Sequence, residues 1–258
     1  MSTLDEVKAL LAGMTDAERL QVQAYLRAVL PKHPVEERLM ITAEGMLDAL
    51  GRAGDFTVRM IRGVFAEAAF ATDVLPSLSG WRQLPITGDP PYDFLLTDQP
   101  DDLPPPADVR YPRVKVQVKM QRSEAGKPLT ANKQWSRRVR WPADHFVVEL
   151  QKSRKGEKQG KSTRPYRFGE FDIVAVSLGP SRGRWGAFMY TVERWLLHDP
   201  AKPESILTYQ PVAPVDNDSW TSDFNTAVGW LRSAEDRRIN GDLPGTAPVK
   251  GRRKASGE

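Results

Sequence analysis

The chain has 258 residues, 40% of them hydrophobic and 27% charged, with a formal net charge of +4 and no cysteine. That length suits one large domain, or one domain with a small appendage. The missing cysteines exclude disulfides, thiolate ligation of zinc or iron–sulfur clusters, and a cysteine nucleophile. No apolar run approaches the ~20 residues that span a bilayer. Met1 to Lys8 lack the basic-then-apolar layout of a secretory leader, so a cytoplasmic location is expected. His33, His145 and His198 lie too far apart in sequence to share a metal-ligand spacing.

Residues 2–52 read as helical. Thr15-Asp-Ala-Glu18 fits a capping box, with Thr15 as N-cap and Glu18 three positions on. The helix it starts carries Leu20, Tyr25, Leu26 and Leu30 and stops before Pro31. Pro34 starts a further helix, expected to run from Val35 to about Leu50. A third begins at Asp55 or Thr57 and continues to about Leu75, where Pro76 stops it. On a wheel of 100° per residue, Phe56, Met60, Val64, Ala68, Ala71 and Val74 share one arc, the face expected to be buried. Glu67 falls inside that arc, about 20° from Met60. A carboxylate on a buried stripe is costly unless it is paired or holds a cation.

Leu84 and Ile86 suggest a short strand, and Tyr92 to Leu96 another, with Asp93 near its start. The following loop is rich in proline and carries Asp98, Asp101, Asp102 and Asp108, read as solvated acids on an extended segment. Arg113 to Gln121 then alternates strictly. Val114, Val116, Val118 and Met120 fall on one side, and Lys115, Gln117, Lys119 and Gln121 on the other. Period two over nine residues with β-branched types predicts a strand. Gln117 and Lys119 then point the same way, about 7 Å apart.

The character changes beyond this strand. Arg122 to Arg167 holds thirteen lysines and arginines against four acids, a surplus of nine, so the rest of the chain is net −5. Trp135, Trp141 and Tyr166 are interleaved with that charge, and Phe168 follows it. Concentrated positive charge with aromatics is the footprint of a nucleic-acid surface. The candidate contacts are Arg122, Lys133, Arg137, Arg138, Arg140, Lys152, Arg154, Lys155, Arg164 and Arg167. Phe146 to Leu150 reads as a strand, and Lys152 to Lys161 as a basic loop or hairpin. Phe171 to Leu178 is an apolar strand of the buried kind, preceded by Tyr166-Arg-Phe-Gly-Glu-Phe-Asp172. Asp172 is read as the anchor of a structural arginine. Strands are expected at Trp185 to Thr191 and Ile206 to Tyr209, with a short turn or helix over Val192 to His198. A helix from Trp220 to Asp236 is capped by Asp218 or Ser219, and residues 240–258 form a basic tail. No phosphate loop of the GxxxxGK[ST] type is present, which argues against ATP use.

An acid at Asp93 followed on the next strand by Gln117-Val118-Lys119 resembles the PD-(D/E)XK nuclease superfamily. Gln117 stands where its members carry Asp or Glu, and Pro91 is displaced by one residue. The run from Tyr166 to Asp172 is similar to a segment of several type II restriction endonucleases. The resemblance covers roughly residues 55–200. It implies an α/β (α+β) fold with a central mixed sheet flanked by helices, here divided into an N-terminal helical region (1–52), a nuclease core with DNA-binding insertions (53–238) and a tail (239–258). It further implies Mg²⁺ as cofactor, with Asp93, Glu67, Gln117 and the Val118 carbonyl as ligands and Lys119 on the attacking water and the phosphate. The expected function is sequence-specific cleavage of double-stranded DNA by a homodimer, within a system that includes a cognate methyltransferase. A DNA-binding module or partner subunit with an inactive site, and a structure-directed repair nuclease, are the alternatives.

Overall fold

The computed structural model describes residues 2–100, 110–124, 126–131, 141–152, 157–158, 161–162, 165–233 and 235–239. Three of the loop aspartates (Asp101, Asp102 and Asp108) and the basic tail lie outside these residues. Contacts divide the chain into two compact units, Met1–Val58 and Arg59–Glu258.

The first unit is built from capped helices. Helix α1 (Thr3–Gly13) opens on a Ser2/Asp5 capping box and α2 (Asp16–Val29) on the expected one, in which Glu18 Oε2 accepts the Thr15 N–H at 2.7 Å. The helix expected over 35–50 is two helices, α3 (Pro34–Leu39) and α4 (Ala43–Arg52). The break has a local cause. Met40 takes a left-handed conformation at φ 53°, and Thr42 recaps the chain, its Oγ1 accepting the Gly45 N–H at 3.1 Å. Arg27 braces the corner by pairing with Glu36 at 3.0 Å and Glu44 at 2.6 Å.

Helix α5 (Asp55–Ala69) continues into a π-helical turn (Phe70–Val74) and a 3₁₀ turn (Leu75–Ser77). The extra residue of the π turn rotates the helix face before Pro76 stops it. The buried side is Ala66, Ala69, Phe70 and Val74, while Phe56, Met60 and Val64 are exposed. Of the expected arc Val74 is buried, but along α5 itself it is the face of Ala66 and Ala69, continued by Phe70, that meets the sheet.

That sheet is mixed. Strands β1 (Arg82–Leu84), β2 (Phe94–Thr97) and β3 (Val114–Met120) pair antiparallel in sequence. With β4 (Phe146–Glu149) elsewhere, β5 (Ile173–Ser177) joins β3 in parallel, and β6 (Phe188–Val192) closes the order β1-β2-β3-β5-β6. The alternation of β3 is borne out. Val114, Val116 and Val118 pack with Ile173 and Ala175 under α5 and α6 (Phe224–Arg232). Asp223 caps α6 rather than Asp218 or Ser219, its Oδ2 accepting the Thr226 N–H at 2.8 Å. The opposite sheet face, with Val174 and Val176, is covered by Val148, Leu150, Tyr166, Phe171 and Trp220. Strand β4 pairs there with β8 (Tyr209–Val212), while β7 (Lys202–Ile206) pairs with His198–Asp199. The strand expected at 206–209 is therefore two strands meeting at Leu207-Thr208. The polar row of β3 is buried only in part: Gln117 is 2% exposed, and Gln121 just beyond the strand is fully buried, while Lys115 and Lys119 keep intermediate exposure.

Candidate active site

Four side chains nominated from the sequence meet where β2 and β3 run side by side. The backbone does the placing. Asp93 precedes β2 and donates its N–H to the Val116 carbonyl of β3 at 3.0 Å. This register sets its carboxylate against the next two residues of that strand. Asp93 Oδ2 accepts the Val118 N–H at 2.7 Å and the Gln117 amide at 2.5 Å. The same Gln117 Nε2 donates to the Val118 carbonyl at 3.2 Å. Lys119 follows on the same strand face, and Glu67 reaches the group from the last turn of α5.

The electrostatics follow from this convergence. Burial holds the Asp93 carboxyl above its ordinary value, opposed by Lys119 and the Val118 N–H. Burial also raises Glu67, and the Asp93 charge raises it further, with Lys119 working the other way. Lys119 is pulled down by its own burial while Asp93 and Glu67 support its charge. Two carboxyl groups and one ammonium thus share a partly buried space, where each opposite charge supports the other.

Among the described residues no group of three or more His, Cys, Asp and Glu side chains is placed to hold a metal ion. A cation here would draw on two carboxylates and on neutral oxygens. The donor set fits a hard cation such as Mg²⁺: Asp93, Glu67 and the Val118 carbonyl are all oxygens. The amide nitrogen of Gln117 already lies between Asp93 Oδ2 and the Val118 carbonyl, a donor where a cation would satisfy the same two oxygens. Gln117 presents its nitrogen, not its oxygen, to Asp93, and it becomes a ligand only when its amide turns over.

The structure also brings in a residue not nominated for the site. The Tyr166 ring, 3% exposed, carries the Lys119 ammonium 5.4 Å from its centroid and the Lys152 ammonium at 5.3 Å. Burial and the charges of Asp93, Glu170 and Glu67 hold its phenol protonated. The available signal was its place at the head of the Tyr166–Asp172 run. That run is anchored from two sides. Asp172 Oδ2 accepts the Lys115 N–H at 2.7 Å, with the Lys115 ammonium 3.8 Å from Oδ1, so its partner is a lysine of β3 and not an arginine. Glu193, 7% exposed, accepts the Gly169 N–H, and burial pushes its carboxyl up to about 7. Nothing in the sequence pattern marked Glu193.

Of the basic residues nominated for DNA, Lys133, Arg137, Arg138, Arg140, Arg154, Lys155 and Arg164 lie outside the described residues. Arg122 is half-buried against Glu149 at 2.7 Å and the Tyr209 hydroxyl at 2.9 Å, which ties β3 to the β4–β8 layer. Lys152 pairs with Glu170 at 2.7 Å, and Arg167 is exposed.

No family model matches the chain, and no curated protein matches it. Among solved structures it is similar to a bacterial homing endonuclease, with 18% identity over 69% of this chain and 90% of that one, at a TM-score of 0.30. An overlap that low leaves the functional reading to the site itself. No helix among the described residues is long and apolar enough to cross a membrane.

Proposed function

We propose that this chain is a Mg²⁺-dependent, sequence-specific endonuclease of double-stranded DNA, of the type II restriction kind. The observation that carries the reading is the meeting of Glu67 from a helix, Asp93 from the approach to β2, and Gln117 and Lys119 from β3 in one partly buried, electrostatically coupled group. Asp93, Glu67 and the Val118 carbonyl would hold the ion, with the Gln117 oxygen completing the set. When bound, Mg²⁺ neutralises phosphate charge and acidifies a water. Lys119 supplies a positive charge to the scissile phosphate and orients the attacking water, and its low hydration strengthens both contacts. The burial that raises Asp93 and Glu67 makes them poor lone anions and good partners for a cation. Cutting both strands takes two such sites, which we assign to a homodimer. A cognate methyltransferase would protect the host's own sites.

One observation favours a second reading, a DNA-binding chain with a silent site. The Gln117 amide N–H group satisfies Asp93 and the Val118 carbonyl without any ion. Incubation with unmethylated phage DNA in Mg²⁺ or EDTA, beside Asp93→Ala and Lys119→Ala, separates the two. Discrete Mg²⁺-dependent fragments, lost in both variants, are the expected result. A Mg²⁺-dependent smear would replace the restriction reading with a structure-directed or non-specific nuclease. Salt-sensitive DNA retention with no cleavage would favour the silent site, and Gln117→Glu would then be the variant to regain cleavage.

A further inference from the structure

Lys119 and Lys152 come from different layers of the molecule. Lys119 is on β3 of the central sheet, and Lys152 follows β4 of the covering layer. Their ammonium groups nevertheless lie 5.4 Å and 5.3 Å from the centroid of one ring, that of Tyr166. The ring is fixed. Phe171 meets it edge-on at 5.3 Å, and the Tyr166 carbonyl accepts the Ile206 N–H at 2.9 Å. Two ammonium groups gathered around one aromatic ring repel each other, so the arrangement needs anions. Glu170 supplies one, pairing with Lys152 at 2.7 Å while its other oxygen accepts the Arg167 N–H at 2.9 Å. Asp93 and Glu67 support the charge of Lys119 through space, without a direct ion pair.

We propose that Tyr166 is a positioning residue of this site, the common floor that seats Lys119 and Lys152 as a pair for the phosphodiester group of the substrate. The assignment rests on the nuclease reading for its substrate. The physics of the floor is independent of that reading. An aromatic face attracts an ammonium group most strongly where water is scarce, and it holds the group without neutralising it. A carboxylate in the same place would quench the charge that a phosphate has to meet. Lys152 then exchanges Glu170 for a phosphate oxygen, while Lys119 keeps its position over the ring. Tyr166 thereby couples a lysine beside Asp93 to one in the covering layer.

The decisive measurement needs no catalysis. In metal-free protein carrying ¹³Cε-lysine, the ε-methylene signals of Lys119 and Lys152, assigned with Lys119→Arg and Lys152→Arg, are expected upfield of the exposed lysines because they lie over the ring. Tyr166→Phe keeps both displaced, and Tyr166→Leu returns both to the ordinary position. Wild-type signals that coincide with those of exposed lysines, or displaced signals that survive in the Leu variant, overturn the proposal. If Tyr166→Leu does not fold, Tyr166→Met takes its place, and the wild-type spectrum alone still decides. In single-turnover cleavage at saturating DNA, the Leu variant is expected to lose about two- to thirtyfold in rate and Phe to stay near wild type. Equal losses in Phe and Leu would transfer the role to the hydroxyl and end the floor argument. A wild type that cuts no DNA but shows both displaced signals would sink the nuclease reading and leave the floor standing.

Discussion

In the first unit each of α1 to α4 is capped, yet none contributes a buried residue, whereas every residue of β5 and β6 in the second unit is buried. Among the described residues, thirteen of the seventeen exposed large apolar side chains lie before Arg59, and three more continue along α5. The helical unit is therefore specified by local signals: caps, the Pro34 start and the Arg27 pairs. The sheet unit is specified by long-range burial, and the candidate site belongs to it alone. Carboxylates and an ammonium group can be held partly buried and close together only where a packed sheet and its covering layer limit access of water.

The comparison can be broken most directly by truncating one large apolar residue in each unit. Phe70 is fully buried, with Phe94 at 4.8 Å and Phe188 at 5.5 Å between ring centroids. Phe70→Ala should cost about 3–5 kcal/mol in urea unfolding. Leu20, 65% exposed, should change stability by no more than about 0.5 kcal/mol when replaced by alanine. A loss well above about 1 kcal/mol for Leu20→Ala would show that its face is covered in solution and would erase the contrast.

Glu193 sharpens the comparison through pH. Its folded carboxyl is pushed up to about 7 by burial, against an ordinary value of 4.5. The folded chain holds that proton where the unfolded chain has released it. The contribution is therefore fully present below the unfolded value and is lost as pH rises through the folded one. Stability of the sheet unit should fall between about pH 4.5 and 7 by up to about 3 kcal/mol. Burial-raised Asp93, Glu67 and Asp172 act in the same direction. Glu193→Gln should flatten that part of the urea midpoint–pH curve, and an unchanged slope would show that Glu193 ionises freely in the fold. The smallest effect belongs to the helical unit. Thr15→Ala removes a capping box and should cost about 1 kcal/mol, seen as a loss of helical circular dichroism on warming while the near-ultraviolet signal of the sheet unit holds.

Much of the site was legible because its chemistry is carried by strand periodicity. The alternation of β3 places Gln117 and Lys119 on one face and Asp93 opens the neighbouring strand, while the choice of these three as a site came from the resemblance to PD-(D/E)XK nucleases. Glu67 followed from a carboxylate on an apolar arc, although the arc itself was assigned to the wrong surroundings. Tyr166 and Glu193 were not legible as members because their roles depend on layers that sequence distance does not reveal. Arg122 carried the same charge as its neighbours in the basic segment, and only the closeness of Glu149 and Tyr209 shows it tying two layers together.

The amino-acid sequence by itself determined the helix starts, which are local hydrogen-bond bargains between a cap side chain and the next turn. It also determined the two-sided character of β3, because side chains on a strand alternate. Tertiary structure decided which face of α5 is buried, since Ala66 and Ala69 allow a closer approach to the sheet than Phe56, Met60 and Val64. It decided that the helix expected over 35–50 breaks at Met40, where one left-handed residue redirects the chain. It decided as well that Gln117 and Gln121 are buried rather than solvated, while Lys115 and Lys119 of the same row keep intermediate exposure. Periodicity states which residues share a face, but what that face meets depends on the shape and volume of elements far away in the chain.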